Sequence, residues 1–508
     1  MLAQPRGRLV TIPTFDPTFD LGTWMGEWQR SSGMGHLWRF GAVGLGVVAL
    51  AACTTDAQPD GESSDDPTAA DATSGGEPAG SDAGADGGDG SGSDAGDDGA
   101  APPADGTVTY HRDIRPMLQT RCVGCHSPGN IAPFPLTTFD EVHPLREAIV
   151  AAVGSRSMPP WMPADGCTEY FEDPSVSGQE YAQLQTWVAE GGPVGDPADY
   201  VAPPPAPTGE LSRVDVTLPF PEAYTPVGEP DDYHCFVLDW PQTETSYITG
   251  FHAVPGNLTQ VHHVIAYAAT ADEAGTYTDL DDAEAGPGYT CFGGPGGTAA
   301  SFGARWLGGW APGGRGSDFP EGIGLRMEPG SKVILQVHYN TLTSDPSPDL
   351  TQIQFKVDAT VEREAFMMPW ADPDWLTGGM PIPAGAEAAT FEWSLDPTFV
   401  MSFLTDAISA FTAFDIYSVS HHMHKRGHRG QAEIVRADGT RECLVQIPDY
   451  DFNWQSRYRF VEPKRFNPGD DLRIACEFDN SAGDTAVNWG DGTDDEMCVG
   501  IFLIAEAD

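Results

Sequence analysis

The sequence predicts a multidomain chain in which a disordered acidic tether leads into a small α-helical domain and then into two antiparallel β-sandwich domains. Three observations carry that prediction. The chain has 508 residues, which sets a soft prior of about three domains. Residues 54–106 are largely Asp, Gly, Ser, Ala and Pro, with no Lys or Arg and almost no large apolar side chain, so they cannot bury enough surface to offset the entropy of ordering. Beyond them the apolar pattern changes period. Helical spacing at Ile114, Met117 and Leu118, and again at Tyr181, Leu184, Trp187 and Val188, gives way after residue 212 to short runs such as Val333-Ile-Leu-Gln-Val-His-Tyr339, punctuated by Gly and Pro.

Charge narrows the partners. With 75 acidic and 26 basic residues the formal charge is -49, which repels a polyanion from most of the surface and excludes nucleic acid as a partner. The 59 Gly and 44 Pro reflect both the tether and the many turns of the β region.

Taken in order, residues 1–33 are patternless and read as a mis-set start. Residues 34–53 follow as an export signal, with Arg39 in its short leading stretch, an apolar run over 41–52, and then Leu50-Ala51-Ala52-Cys53. The run is too short for a membrane span. Its end resembles the lipobox of bacterial lipoproteins, which implies lipidation of Cys53 and a lipid-anchored protein of the bacterial cell envelope, periplasmic or surface-facing. Thr54 in place of Asp favours the outer membrane. Residues 54–106 form the tether, and residues 201–212, with Ala202-Pro-Pro-Pro-Ala-Pro207, form a stiff spacer.

The segment between, residues 107–200, contains Cys122-Val-Gly-Cys125-His126. Two thiols three positions apart can each add to a haem vinyl group, and the adjacent imidazole then ligates the iron. Cys-x-x-Cys alone is ambiguous between zinc, a redox dithiol and haem; the following His in an exported chain favours haem c. A thioether in the proline-stiffened run Ser157-Met158-Pro159-Pro160-Trp161-Met162 suits the sixth position, Met158 ahead of Met162. The segment resembles a small class I c-type cytochrome.

The β region divides into residues 213–362 and 363–508. Its histidines concentrate in three runs, Val261-His262-His263-Val264, Gln336-Val337-His338-Tyr339-Asn340 and His421-His422-Met423-His424, followed by Asp494-Asp495-Glu496-Met497-Cys498. Alternate residues of a strand share a face, so His422 and His424 can meet one metal, whereas the adjacent pair His262 and His263 needs a bulge, a strand end or binding through different ring nitrogens. Singly, each histidine reads as a hydrogen-bonded structural residue; their concentration points to metal.

The ordered series of these four motifs resembles the type II copper, ascorbate-dependent monooxygenases, the peptidylglycine α-hydroxylating and dopamine β-monooxygenases, over roughly residues 215–508. The resemblance implies two jelly-roll-like domains, each with one copper ion. It implies that His262, His263 and His338 hold an electron-storing copper and that His422, His424 and Met497 hold the catalytic, oxygen-binding copper, with His421 and His428, which match no ligand role, as spectators or as groups that support the ligands. It further implies disulfides Cys235–Cys291 and Cys476–Cys498, leaving Cys167 and Cys443 unassigned. The expected partners are a small organic substrate, O2 and an electron donor, either ascorbate or another reductant, with the haem domain as the donor at hand.

The ligand types agree with that chemistry. Three imidazoles accept both Cu(I) and Cu(II), and the thioether of Met497 favours Cu(I), whereas zinc prefers N, O and thiolate donors. The chain departs from peptide-amidating members by having Ser420 where they carry an Arg, and Val499-Gly500-Ile501 where they carry a Tyr, so a peptide ending in glycine is not the expected substrate. A non-catalytic copper-binding or electron-transfer lipoprotein is the alternative reading.

Overall fold

The computed structural model describes residues 106–508 except 129–131, 205–209, 229, 292–293, 297–304, 312–313, 315, 342–344, 491 and 508. The export signal, Cys53 and the tether therefore lie outside the described residues. Among the described residues no helix is long and apolar enough to cross a membrane.

Residues 107–200 are helical. A π-helical turn, Tyr110–Ile114, runs into the helix Arg115–Arg121 just before Cys122. Ser177 caps Gly178–Ala189 by accepting from the Glu180 N–H, while Glu180 reaches back to the Ser177 N–H, so the cap satisfies donors at both ends of the first turn. Of the apolar positions picked out by helical spacing, Ile114, Met117, Leu118, Leu184 and Trp187 meet in a small core with Tyr110 and Val142, Val188 packs against it, and Tyr181 is not among its members. The Trp187 indole donates to the Pro193 carbonyl at 2.9 Å, which also accepts from the Tyr110 N–H at 2.9 Å.

The remainder is mostly β-structure, in three sheets. A five-stranded sheet orders Tyr289–Thr290, Asp231–Asp239, Lys332–Asn340, Val261–Ala269 and Arg305–Trp310. A four-stranded sheet orders Ala389–Leu395, Asp471–Phe478, Gly427–Val435 and Arg441–Ile447. Both belong with one nine-stranded sheet, ordered Val216–Pro219, Gln352–Asp358, Ser246–Val254, Ile323–Met327, Arg363–Trp370, Val499–Glu506, Phe414–His422 and Arg457–Phe466, with Ser317–Asp318 paired to Ser246–Val254. The two halves thus share a sheet. Its single parallel joint pairs Arg363 with Ile323 and Ala365 with Leu325.

Strand Lys332–Asn340 is buried on both faces, which explains the consecutive apolar residues Val333, Ile334 and Leu335. Its inner face joins the main core; its outer face lies under the helix Ala274–Ala283 and the Cys235–Cys291 disulfide, where Ile334 packs with Tyr267, Tyr277 and Tyr289.

The helical segment is also fixed to the second β half away from the spacer. Cys167 is disulfide-bonded to Cys443. Before that bond the chain meets the strand Arg441–Ile447, and after it the chain lies along the strand Arg457–Phe466. Phe171 N–H donates to the Arg459 carbonyl at 2.7 Å, Val461 N–H donates to the Glu169 carbonyl at 3.1 Å, and Ala164 N–H donates to the Gln446 carbonyl at 2.7 Å. Trp161 packs edge-on to Tyr170 and Tyr458, and Arg459 lies 3.5 Å over the Phe171 ring.

Candidate metal centres

The first centre forms where Val261–Ala269 pairs with Lys332–Asn340. Val261 lies opposite Tyr339 and His263 opposite His338, with a register shift between them. That irregularity turns the adjacent rings of His262 and His263 toward the same point, which a regular strand forbids. The His263 Nδ1 lies 3.4 Å from the His262 Nδ1 and 3.3 Å from the His338 Nδ1, and the potential ligand atoms of the trio lie within 4.8 Å of one another.

An ion about 2.0 Å from two nitrogens at a tetrahedral angle sets them about 3.3 Å apart, so the trio fits a metal ion held through Nδ1. The opposite edge of His338 is fixed as well: its Nε2–H donates to the Asp231 carboxylate at 2.8 Å, and Asn340 holds the same oxygen at 3.1 Å. With the proton on Nε2, Nδ1 keeps its lone pair for a metal. Tyr233 stacks on His338 at 4.2 Å.

The charges favour neutral ligands. Burial, then the neighbouring His338, brings His262 down to about 4, and burial holds His263 well below the ordinary histidine value. Burial raises the Asp231 carboxyl, but the bond and charge of His338 together with bonds from Thr493 and Asn340 outweigh it and leave Asp231 below its usual value.

The second centre gathers at the ends of two neighbouring strands. His422 ends the strand Phe414–His422 and pairs with Val499, two residues after Met497. The strand stops at His422, so His424 does not share a face by strand alternation as expected from sequence. The turn after it brings the ring back, to 5.0 Å between the centroids of His422 and His424. Glu496 shapes this turn, accepting the backbone N–H groups of His424 at 2.9 Å and of Arg426 at 2.5 Å. The His422 Nδ1 faces the Gln455 Oε1, and the His424 Nδ1 donates to the Asp495 carbonyl at 3.2 Å. Both rings keep Nε2 for a metal.

The neighbouring His421 packs on the Cys476–Cys498 disulfide, its Nε2 3.2 Å from the Cys476 Sγ. Those sulfurs are bonded to each other and offer no thiolate, so this group makes no third centre. The disulfide also fixes the residue beside Met497.

A cavity of about 240 Å³ is lined by residues of both centres, His263 of the first and His422, His424 and Met497 of the second. Phe452 links them from outside, stacked on His262 at 4.7 Å and edge-on to His424 at 6.0 Å.

In the helical segment Cys122 and Cys125 are free thiols. Burial, then the neighbouring Cys125, pushes the Cys122 thiol up to about 12, whereas a redox Cys-x-x-Cys works by a lowered value. The His126 Nδ1–H donates to the Phe134 carbonyl at 3.0 Å, leaving Nε2 free, and Phe134 and Met158 are exposed apolar side chains. Free thiols, an anchored imidazole and bare apolar surface fit covalent haem. Met162 is otherwise engaged: it is buried, and its sulfur accepts the Asp451 N–H at 3.1 Å.

Sequence reasoning had no route to Asp231, Tyr233, Phe452 or Gln455, which belong to no local motif. Glu496 stood inside the Asp-Asp-Glu-Met-Cys run, where its complete burial was the missing signal.

Residues 217–346 match the N-terminal domain, and residues 392–504 the C-terminal domain, of the copper type II ascorbate-dependent monooxygenases. The chain is 26% identical over 263 residues to mouse DBH-like monooxygenase protein 2, covering 49% of this chain and 39% of that protein. It is 25% identical over 209 residues to human DBH-like monooxygenase protein 1, covering 38% and 32%. It is 26% identical over 285 residues to human putative DBH-like monooxygenase protein 2, covering 53% and 52%. The chain therefore spans between a third and about half of the length of these relatives. A solved infectious bursal disease virus VP2 particle is similar only at a TM-score of 0.15 with 10% identity, over 57% of this chain and 71% of that one, which carries no argument. The two domain matches, residues 217–346 and 392–504, fall on the two halves that supply the two centres, and in both the chain is similar to the copper type II ascorbate-dependent monooxygenases.

Proposed function

We propose that the protein is a copper monooxygenase that hydroxylates a C–H bond of a small organic molecule, exported and lipid-anchored through Cys53, with a fused haem c domain as electron donor. The observation that carries the reading is the pair of dissimilar ligand sets, three Nδ1 atoms and a His-His-Met group, with His263 of the first and His422, His424 and Met497 of the second lining one cavity. The balance is R–H + O2 + two electrons + two protons → R–OH + H2O. Copper in these sites supplies one-electron storage and O2 activation.

The chain's own residues divide the work. His262, His263 and His338 hold the storage site, with Asp231 fixing the tautomer of His338. His422, His424 and Met497 hold the reacting site, with Gln455 and the Asp495 carbonyl orienting the imidazoles. The apolar cavity walls exclude water from the reacting carbon.

For electron delivery, Cys122, Cys125 and His126 would hold the haem, with Met158 ahead of Met162 as a further iron ligand, and the haem would supply one-electron transfer. The segment that follows Met158 supports delivery to the first centre. Met162 contacts the Asp451 backbone, and the next residue, Phe452, stacks on His262.

Metal and haem content of the purified protein, followed by O2 consumption and product formation by the reduced protein, tests the reading. One haem, two copper ions and coupled product are expected; zinc in place of copper overturns it. In single turnovers haem oxidation should keep pace with product and disappear in His263→Ala, whereas haem that stays reduced through turnover removes the donor role.

A further inference from the structure

Of the side chains lining the cavity among the described residues, only Arg457 carries a fixed charge, and neither Asp nor Glu is present. That is notable in a chain with 75 acidic and 26 basic residues. Arg457 makes no ion pair among the described residues; its guanidinium donates to the Ser317 Oγ at 2.9 Å and faces the Phe319 ring at 5.6 Å. Burial and the like charge of Arg459 both disfavour its charged form. A partly buried cation without a counter-ion is costly, and an anion on it relieves that cost.

The sheet register fixes where this cation stands. Pro369 pairs with Ile501, Ile501 with Ser420, and Ser420 with Arg457, so the four form one row across four adjacent strands, and all four line the cavity. His422 lies two residues beyond Ser420 on the same strand, hence on the same face. From the strand spacing and rise, the Cα atoms of Arg457 and His422 lie about 8 Å apart. That is within the length of one small molecule. Beside the cation the walls are apolar and aromatic, with Trp310, Trp489, Met367, Leu376 and Val499.

We propose that the cavity binds a carboxylate-bearing small molecule with an apolar body, its carboxylate held by Arg457 and its far end presented to the second metal centre. The proposal rests on the reading of the cavity as the oxygenation site. It moves the cation to the strand beside Ser420, and the small Ser420 side chain leaves the row open for the carboxylate. A planar guanidinium can take both oxygens of a carboxylate at once.

The test is binding of three probes of one shape to the copper-loaded, oxidised full-length protein, by calorimetry at fixed salt: 3-phenylpropionate, its primary amide, and 3-phenylpropylamine. The carboxylate should bind at least tenfold more tightly than the other two. Arg457→Gln should reduce that preference to less than twofold, and Arg457→Lys should keep part of it. The exchange Ser420→Arg with Arg457→Ser returns a guanidinium to the same row and should restore the preference even where Arg457→Gln fails to fold. Equal binding of the three probes, or an undiminished preference in Arg457→Gln, overturns the proposal. Tight carboxylate binding without hydroxylated product from the reduced protein and O2 would instead sink the oxygenation reading and leave the anion site standing.

Discussion

Replacing Asp231 with Ala should weaken copper at the first centre while leaving the second untouched. The carboxylate makes one charge-assisted bond to the His338 Nε2–H at 2.8 Å, and His338 is 1% exposed, so no water takes its place directly. Loss of such a bond costs about 1.5–3 kcal/mol. At 1.36 kcal/mol per decade this is roughly 12- to 150-fold in affinity. Loss of a partner behind a metal-bound histidine costs about 10–100-fold, so the two routes agree. Asp231→Asn keeps a carbonyl acceptor and should lie near the lower end. The assay is competition for Cu(I) against a chelator of known affinity, with the two centres told apart by the spectrum of Cu(II) in His263→Ala and Met497→Ala backgrounds. Unchanged affinity at the first centre, or equal loss at both, would refute the view that Asp231 acts by holding the His338 tautomer.

Other outcomes follow from the same geometry. The His262 and His422 values near 4, and that of His424 near 3, lie below the ordinary 6.5, so their neutral forms persist as pH falls until about 4; copper retained after desalting should hold to about pH 5, and loss centred on pH 6.5 would contradict the burial argument. Cys167→Ser with Cys443→Ser should lower hydrogen-exchange protection of the Ala164, Phe171 and Val461 amides, and unchanged protection would mean that packing alone holds the strap. Cys53→Ser should move the protein from the membrane pellet to the soluble fraction; continued pelleting would exclude lipidation as the sole anchor.

The legible parts of the molecule were those written in short stretches of chain. The helical spacing of Ile114, Met117 and Leu118 marked a helix, and all three side chains are in its core. The His262-His263 doublet called for a bulge, a strand end or different ring nitrogens, and the register shifts there. What sequence could not carry was coincidence between distant strands. Asp231 reaches His338 across 107 residues of chain, and Arg457 stands beside Ser420 only because two strands pair in that register. The turn that rescues His424 depends on Glu496, whose burial follows from tertiary packing and not from the residues next to it. The Cys167–Cys443 pair joins the helical segment to a β strand, a partnership that neither local pattern announces.

The parallel joint between Ile323–Met327 and Arg363–Trp370 bears on how far the two halves can be treated as modules. Cutting the chain between them would leave each fragment with a bare strand edge, an invitation to pair with another chain. Separately expressed halves should therefore associate or aggregate more readily than the intact protein, and a graft of one half onto another scaffold would need a substitute edge strand. The same joint makes main-chain hydrogen bonds part of the connection between the halves. Their relative movement is then a flexing of sheet, whose stiffness a longer connecting loop would leave unchanged.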